Sequence, residues 1–192
     1  MNNTQEEMIL VLDENGNSTN KLEPRSFVHD NELWHNEIAL WILNPTTKSV
    51  LLQRRAANKK SNPNKLAPCA GHVTGYDTIE ESVIREAQEE YGIDISKYKL
   101  NYMRTIRCKN PNNNCFSNHF YIIADIPISN FKIQEEELSE VLYLTLEDLK
   151  NLVFSNSPEV AIRNNKINEE LFAFFDEVFN NQKSWYFLSF EL

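Results

Sequence analysis

The sequence predicts an α/β fold in a single domain spanning residues 1–192. Three observations carry this. Short apolar segments bounded by turn residues, the pattern of strands, lie on both sides of residue 79. A capped amphipathic helix over Ile79–Tyr91 interrupts them, and a second, aromatic helix follows over Asn168–Asn180. The composition, 41% hydrophobic and 24% charged over 192 residues, is that of a globular chain with ample length for a core.

The elements follow in chain order. An N-terminal hairpin occupies about residues 8–25, because the apolar Met8–Leu12 is followed by Asp13-Glu14-Asn15-Gly16 and Asn-Gly is a strong turn signal. Pro24 and Arg25 lead through Phe27, Val28 and His29 to Leu33-Trp34-His35, with no element assigned. Ile38–Leu43 reads as a buried strand closed by Asn44-Pro45-Thr46, and Val50–Arg54 as its hairpin partner. A basic loop follows, with Arg54, Arg55, Lys59, Lys60 and Lys65. Most of these lysines read as solvated. Arg54 and Arg55 sit closest to a strand end and are the candidates for bidentate contacts to phosphate.

Thr78 and Glu81 have the capping-box spacing at the start of the 79–91 helix, and Gly92 stands where a left-handed residue ends one. Val83, Ile84, Ala87 and Tyr91 form its apolar arc. Beside that arc Glu86, Glu89 and Glu90 share a face at i, i+3 and i+4 spacing, where like charges repel. Arg85 reaches Glu81 or Glu89 and compensates them only in part. A hard divalent cation would relieve the repulsion, and oxygen ligands suit Mg²⁺ or Mn²⁺. The alternative is a solvated acidic face.

Beyond the helix, Lys99–Arg107 and Phe116–Ile126 read as paired strands around the polar turn Lys109–Asn114. Phe131–Glu137 ends in a second acidic cluster, Glu135, Glu136 and Glu137. Val141–Leu144 is a short strand, and Thr145 caps a helix over Leu146–Val153 with Asp148 three residues on. The Asn168–Asn180 helix, with Leu171, Phe172, Phe174, Phe175, Val178 and Phe179, packs in the monomer or in a homodimer. The tail Trp185–Leu192 is apolar but too short to assign.

Charge and cysteine content narrow the function classes. A net charge of −9 argues against a nucleic-acid binder, which needs a basic face. It leaves room for small phosphorylated molecules, since bound cations invert the local field. Cys69, Cys108 and Cys115 form no C-x-x-C pair and read as free thiols of a reducing compartment, which together with an N-terminus lacking a signal-peptide pattern predicts a cytoplasmic protein. The longest clean apolar run, Ile38–Leu43, is too short to span a bilayer.

The stretch Gly71–Ile93 resembles the Nudix box, G-x5-E-x7-R-E-U-x-E-E-x-G-U, with U a bulky apolar residue. Gly71, Arg85, Glu86, Glu89, Glu90, Gly92 and Ile93 match at the right spacing. Asp77 departs from the first Glu, and the small Ala87 takes a bulky position. The resemblance implies an α/β/α sandwich with a central mixed sheet. It implies Glu86, Glu89 and Glu90 as ligands of Mg²⁺ or Mn²⁺, with Arg85 orienting the box carboxylates. A further Glu from outside the box, Glu136 or Glu137, would serve as ligand or general base. Arg54, Arg55 and Gly71 are the substrate-binding candidates. The implied reaction is hydrolysis of a nucleoside diphosphate linked to another moiety, or of a related pyrophosphate.

His29…Leu33-Trp34-His35, Leu51-Leu52-Gln53-Arg54-Arg55 and Ala70-Gly71-His72 also resemble the isopentenyl-diphosphate isomerase branch of the superfamily. That branch implies a second metal site at His29, His35 and His72. It also implies a catalytic Cys where this chain has Ala70, with Cys69 one residue away. The expectation is therefore a hydrolase of isomerase-like subtype. An isomerase and a non-catalytic binding module are the alternatives. Trp34, Tyr76, His119 and Phe120 are candidates either for the core or for contact with a base or acyl group.

Overall fold

The computed structural model describes residues 6–188, with side chains up to residue 181. Its centre is strand β3 (His35–Asn44), which is buried along most of its length. On one edge β3 runs parallel to β8 (Asn113–Ile123), and β8 pairs antiparallel with β7 (Asn101–Asn110). The other edge is shared. Its second half, Ile42–Asn44, pairs with the start of β4 (Ser49–Arg55), and its first half, Glu37–Leu40, pairs with β6 (Cys69–His72). β4 also pairs with the two-residue β5 (Leu66–Ala67) and with β9 (Leu138–Thr145). One parallel pair among antiparallel ones makes the sheet mixed. Because β4 leaves β3 after Leu51, the sheet splits at one end, and β6 fills the gap beside β3.

Alternation of side chains along the strands gives the sheet two apolar faces. Ile38, Leu40, Ile42, Leu51, Phe120 and Ile122 meet Val83, Ala87 and Tyr91 of α2 (Ile79–Tyr91). Trp41, Leu43, Val50 and Leu52 meet Leu149 and Val153 of α3 (Leu146–Phe154) and Leu171, Phe172, Phe175 and Phe179 of α4 (Lys166–Leu188). Helices therefore cover both faces, in an α/β/α sandwich. The aromatic stripe of the last helix packs inside this chain. Residues 185–188 continue α4, and 189–192 of the apolar tail lie outside the described residues.

The hairpin of β1 (Met8–Leu12) and β2 (Ser18–Pro24) lies over the split end. The Gly75 amide donates to the Met8 carbonyl at 2.7 Å, and the Leu12 amide to that of Trp34 at 2.7 Å. Ile9, Val11 and Val28, the last from the short α1 (Arg25–Asp30), form a small separate core beneath it. Among the described residues no helix is long and apolar enough to cross a membrane.

The α2 caps follow the sequence reading. The Thr78 side chain accepts from the Glu81 amide while Glu81 returns a bond to the Thr78 amide, and Gly92 is left-handed at φ 64°. Among the described residues, α1, β5, β6 and a 3-10 turn at Ile128–Asn130 escaped the sequence. Each is short and lacks a periodic pattern, and α1, β5 and β6 are held by pairing or packing with residues distant in the chain.

Candidate active site

β6 and α2 build the acidic part of the site. A Cβ on Gly71 would lie 2.1 Å from the Glu86 carboxyl carbon, so the glycine leaves the space the carboxylate occupies. Arg85 fixes the loop before the helix to the helix itself. Its guanidinium donates to Glu86 Oε1 at 2.9 Å, Glu89 Oε2 at 3.1 Å, Asp77 Oδ2 at 3.4 Å and the His72 carbonyl at 2.9 Å. Glu81, the other partner that spacing allowed for Arg85, is engaged in the cap. The three box glutamates do not share one environment. Glu86 and Glu90 are each 6% exposed, whereas Glu89 faces solvent.

Burial raises both inner carboxyls. Glu86 is pushed up to about 7 by desolvation, against the Arg85 charge and with help from Glu90, Glu89 and Glu7. Glu90 is pushed up to about 7 by desolvation, against contacts from Cys69 and Gln53, and its Oε2 is buried without a hydrogen-bond partner. An oxygen-only donor set, two buried acids and an unpartnered carboxylate oxygen suit a hard divalent cation.

Beside these lies a cavity of about 410 Å³ whose lining includes Arg25, Arg55, Lys59, Lys60, Glu136 and Glu137. Successive residues of β4 leave by opposite faces, and this separates the two candidate arginines. Arg55 borders the cavity and its charge acts on Glu90, while Arg54 bonds to Glu140 at 3.0 Å and to the Asn64 carbonyl. Glu137 pairs with Lys59, and its charge is felt by Glu90. Glu136 is exposed at the rim.

A second constellation occupies the same end of the sheet. His72 follows Gly71 in β6 and so leaves by the opposite face from the space taken by Glu86. One ligand atom from each of His29, His35 and His72 lies within 4.8 Å of the others. Nδ1 of His29 donates to the Asn112 carbonyl at 2.7 Å and Nδ1 of His35 to the Leu33 carbonyl at 3.0 Å. A neutral ring anchored this way presents its Nε2 lone pair inward. His29 Nε2 is 3.0 Å from His72 Nε2, and His35 Nε2 is buried with no partner.

Glu37 Oε1 stands 3.6 Å from His35 Nε2 and 3.7 Å from His72 Nε2. Burial holds His72 down to about 3, in its neutral form. Glu37 is held at about 2 despite burial, through His35, His72 and the Cys115 thiol, so it stays ionised. Three imidazoles and one carboxylate are a donor set for Zn²⁺, Mn²⁺ or a similar ion.

The fold thus gathers Gly71, Arg85, Glu86 and Glu89 in one set of contacts, sets Glu90 within reach of the charges of Arg55 and Glu137, which line the cavity with Glu136, and turns Arg54 away to Glu140. Phe120 and His119 are buried in the sheet, His119 accepting from Trp41 Nε1 at 3.2 Å. Trp34 lies beneath Arg107, and Tyr76 is 76% exposed. Sequence reasoning missed Glu37, Gln53, Glu7 and Arg25. Glu37 and Gln53 are polar positions inside apolar strands, a signal that was available. Glu7 and Arg25, paired at 3.1 Å, come from the hairpin and α1 and gave none.

Comparison with known proteins bears on the family and the fold. A profile of the NUDIX domain matches residues 33–167. Nudix hydrolase 3 of Arabidopsis thaliana is 31% identical over 162 residues, which is 80% of this chain and 21% of that protein; the chain spans about a fifth of this relative's length. Isopentenyl-diphosphate Delta-isomerase of Salmonella arizonae is 26% identical over 146 residues, 75% of this chain and 80% of that one. A crystal structure from Deinococcus radiodurans superposes with a TM-score of 0.67 at 19% identity, covering 87% of this chain and 98% of that one. With the box on α2, the mixed sheet between helices and a family profile matched over most of its length, this chain belongs to the Nudix family.

Proposed function

We propose that the protein is a Mg²⁺- or Mn²⁺-dependent hydrolase that cleaves the diphosphate bond of a nucleoside diphosphate linked to another moiety, or of a related pyrophosphate. The observation that carries this is the pair of buried box carboxylates, Glu86 and Glu90, the second of them within reach of the charges of Arg55 and Glu137, which line a cavity with basic walls. A bound cation supplies charge neutralisation on the phosphate oxygens and a more acidic water. The residues of the chain do the rest. Glu86 and Glu90, with Glu89 at the edge, would hold the ion, and Arg85 keeps the Glu86 and Glu89 carboxylates in place. Arg55, Lys60 and Arg25 receive the anionic end of the substrate. Glu137, held by Lys59, is placed to take a proton from the attacking water.

A panel of nucleotide sugars, dinucleotides and coenzymes with Mg²⁺ or Mn²⁺ tests the reading. Turnover should be cation-dependent and should fall about 10²–10³-fold in Glu89→Gln or Glu90→Gln. Undiminished release of phosphate or pyrophosphate by both variants would sink the assignment.

The isomerase reading has one observation in its favour, the cluster of His29, His35, His72 and Glu37. Against it, Ala70 occupies the position that the resemblance gives to the isomerase Cys, on the same face as His72. Cys69 points instead into the core, where it touches Glu90. We infer a hydrolase of isomerase-like subtype with a second cation at the histidine cluster. Interconversion of isopentenyl and dimethylallyl diphosphate should be undetectable. Tight binding without turnover in either assay would favour a non-catalytic module.

A further inference from the structure

β7 and β8 place Cys108 and Cys115 directly opposite each other across an antiparallel pair, and both are free thiols. The third, Cys69, is enclosed in the core under α2. Side chains directly opposed across a sheet have Cβ atoms roughly 4.5–5.5 Å apart, and a disulfide needs about 3.5–4.5 Å. A slight closing of the two strands therefore brings the sulfurs to bonding distance.

We propose that Cys108 and Cys115 form a reversible disulfide that weakens cation binding at the adjoining cluster of His29, His35, His72 and Glu37. The disulfide stands on the pairing of the two cysteines. Its effect on the cation rests on the second-cation reading given above.

The coupling is visible in the contacts. Cys115 Sγ donates to Glu37 Oε2 at 3.2 Å. Between the two cysteines, the Asn112 carbonyl orients His29, and Asn113 Nδ2 donates to Glu37 Oε1 at 3.0 Å. One hairpin tip therefore supplies three of the contacts that position the cluster. A disulfide removes the thiol proton that Glu37 accepts and draws the two strands together beneath that tip.

Cys108 is only partly buried and is the point of entry, and its contact with Cys115 pushes its thiol pKa down. With glutathione disulfide as oxidant, the Cys108 thiolate attacks and releases one glutathione thiolate. Cys115, whose S–H faces the Glu37 carboxylate, gives its proton up through that contact to solvent, attacks the Cys108 sulfur and releases the second. The protein loses two protons and two electrons, and one glutathione disulfide becomes two thiols. A bond that must pull two strands together is strained, and strained disulfides are the readily reduced ones.

The test is to incubate the protein with glutathione disulfide and alkylate the free thiols under denaturing conditions. Two of the three thiols should disappear, a proteolytic peptide pair should join 108 to 115, and dithiothreitol should reverse both. Co²⁺ titration, read from the intense visible absorption of a low-coordinate nitrogen-rich site, should show binding weakened about tenfold or more after oxidation, the usual scale for disturbing groups that orient ligands. Cys108→Ser should abolish the oxidation-dependent change. Three thiols still free, or a stable glutathione adduct on Cys108 alone, would overturn the disulfide. A disulfide that leaves Co²⁺ affinity unchanged would overturn the coupling. If the reduced protein gives no such Co²⁺ spectrum, the cation reading of the cluster fails, while the thiol count still decides whether the disulfide forms.

Discussion

Glu86 lies where it does because residue 71 has no side chain. The atom that a Cβ at 71 would strike is the far end of a flexible side chain, so Gly71→Ala should fold with little loss of stability. The displaced carboxylate should cost about 10²-fold in cation-dependent turnover, measured beside an unchanged melting temperature. A large loss of stability would show that the glycine serves the backbone instead. Glu90 poses a second residue-scale question. Its charge is buried, and the glutamine isostere keeps the shape without the charge. Glu90→Gln should therefore lose turnover while gaining stability in cation-free buffer at pH 8, by about 1–3 kcal/mol in chemical denaturation.

At the scale of the element, α2 has a tied start and a tied end. Thr78 and Glu81 satisfy each other's backbone amides at its start, and Thr78→Ala should cost about 1 kcal/mol of unfolding free energy. Gly92 ends it at φ 64°, and a Cβ there would lie 2.7 Å from the Lys132 backbone oxygen. Backbone, unlike the Glu86 side chain, cannot swing aside. Gly92→Ala should cost roughly 2–4 kcal/mol, more than Thr78→Ala. The reverse order in a denaturant series would contradict the model of a tightly docked helix end. The segment between β8 and β9 docks on this helix end: the Lys132 amide donates to the Tyr91 carbonyl and the Gln134 amide to the Glu90 carbonyl. This is how the 135–137 acidic cluster is brought alongside the box.

Across the whole molecule, buried ionisable groups oppose one another with pH. Glu86 and Glu90 titrate near 7 in the fold and near 4.5 when unfolded, so between those values the folded state holds the extra protons and stability falls as pH rises. His72 and His119 are pushed down by burial to about 3 and about 4, so between these and 6.5 the unfolded state holds the extra protons and stability rises with pH. The two pairs nearly cancel between pH 4.5 and 6.5, and cation-free protein should show a shallow stability profile there. The Glu90→Gln variant removes one side of the balance. Its advantage over the parent should be absent below pH 4.5, grow as pH rises, and level off above 7. A difference independent of pH would mean that Glu90 is not held protonated in the fold. Adding Mg²⁺ should stabilise the parent more than the variant at pH 8.

Much of this molecule is written locally. The α2 boundaries, its caps, the β3–β4 hairpin and the acidic triplet depend on neighbours within a few residues, and periodicity and turn chemistry expose them. The resemblance carried by the box reached the sandwich fold for the same reason. What the residues alone left open depends on which strand lies beside which. Spacing put Glu86, Glu89 and Glu90 on one helix face, but only the approach of Gly71 on β6 buries Glu86 and leaves Glu89 in water. Arg54 and Arg55 read alike in the chain, and the opposite faces of β4 send one to Glu140 and the other to the cavity. His29, His35 and His72 were expected by analogy, but Glu37 meets them only because β3 pairs with β6, and the Cys108–Cys115 pair exists only through the β7–β8 register. Local free energy, legible along the chain, sets the longer elements and the chemistry of α2, but not the short α1, β5 and β6. The tertiary structure decided which carboxylates lose their water and which side chains converge, because desolvation and contact depend on residues far apart in the chain.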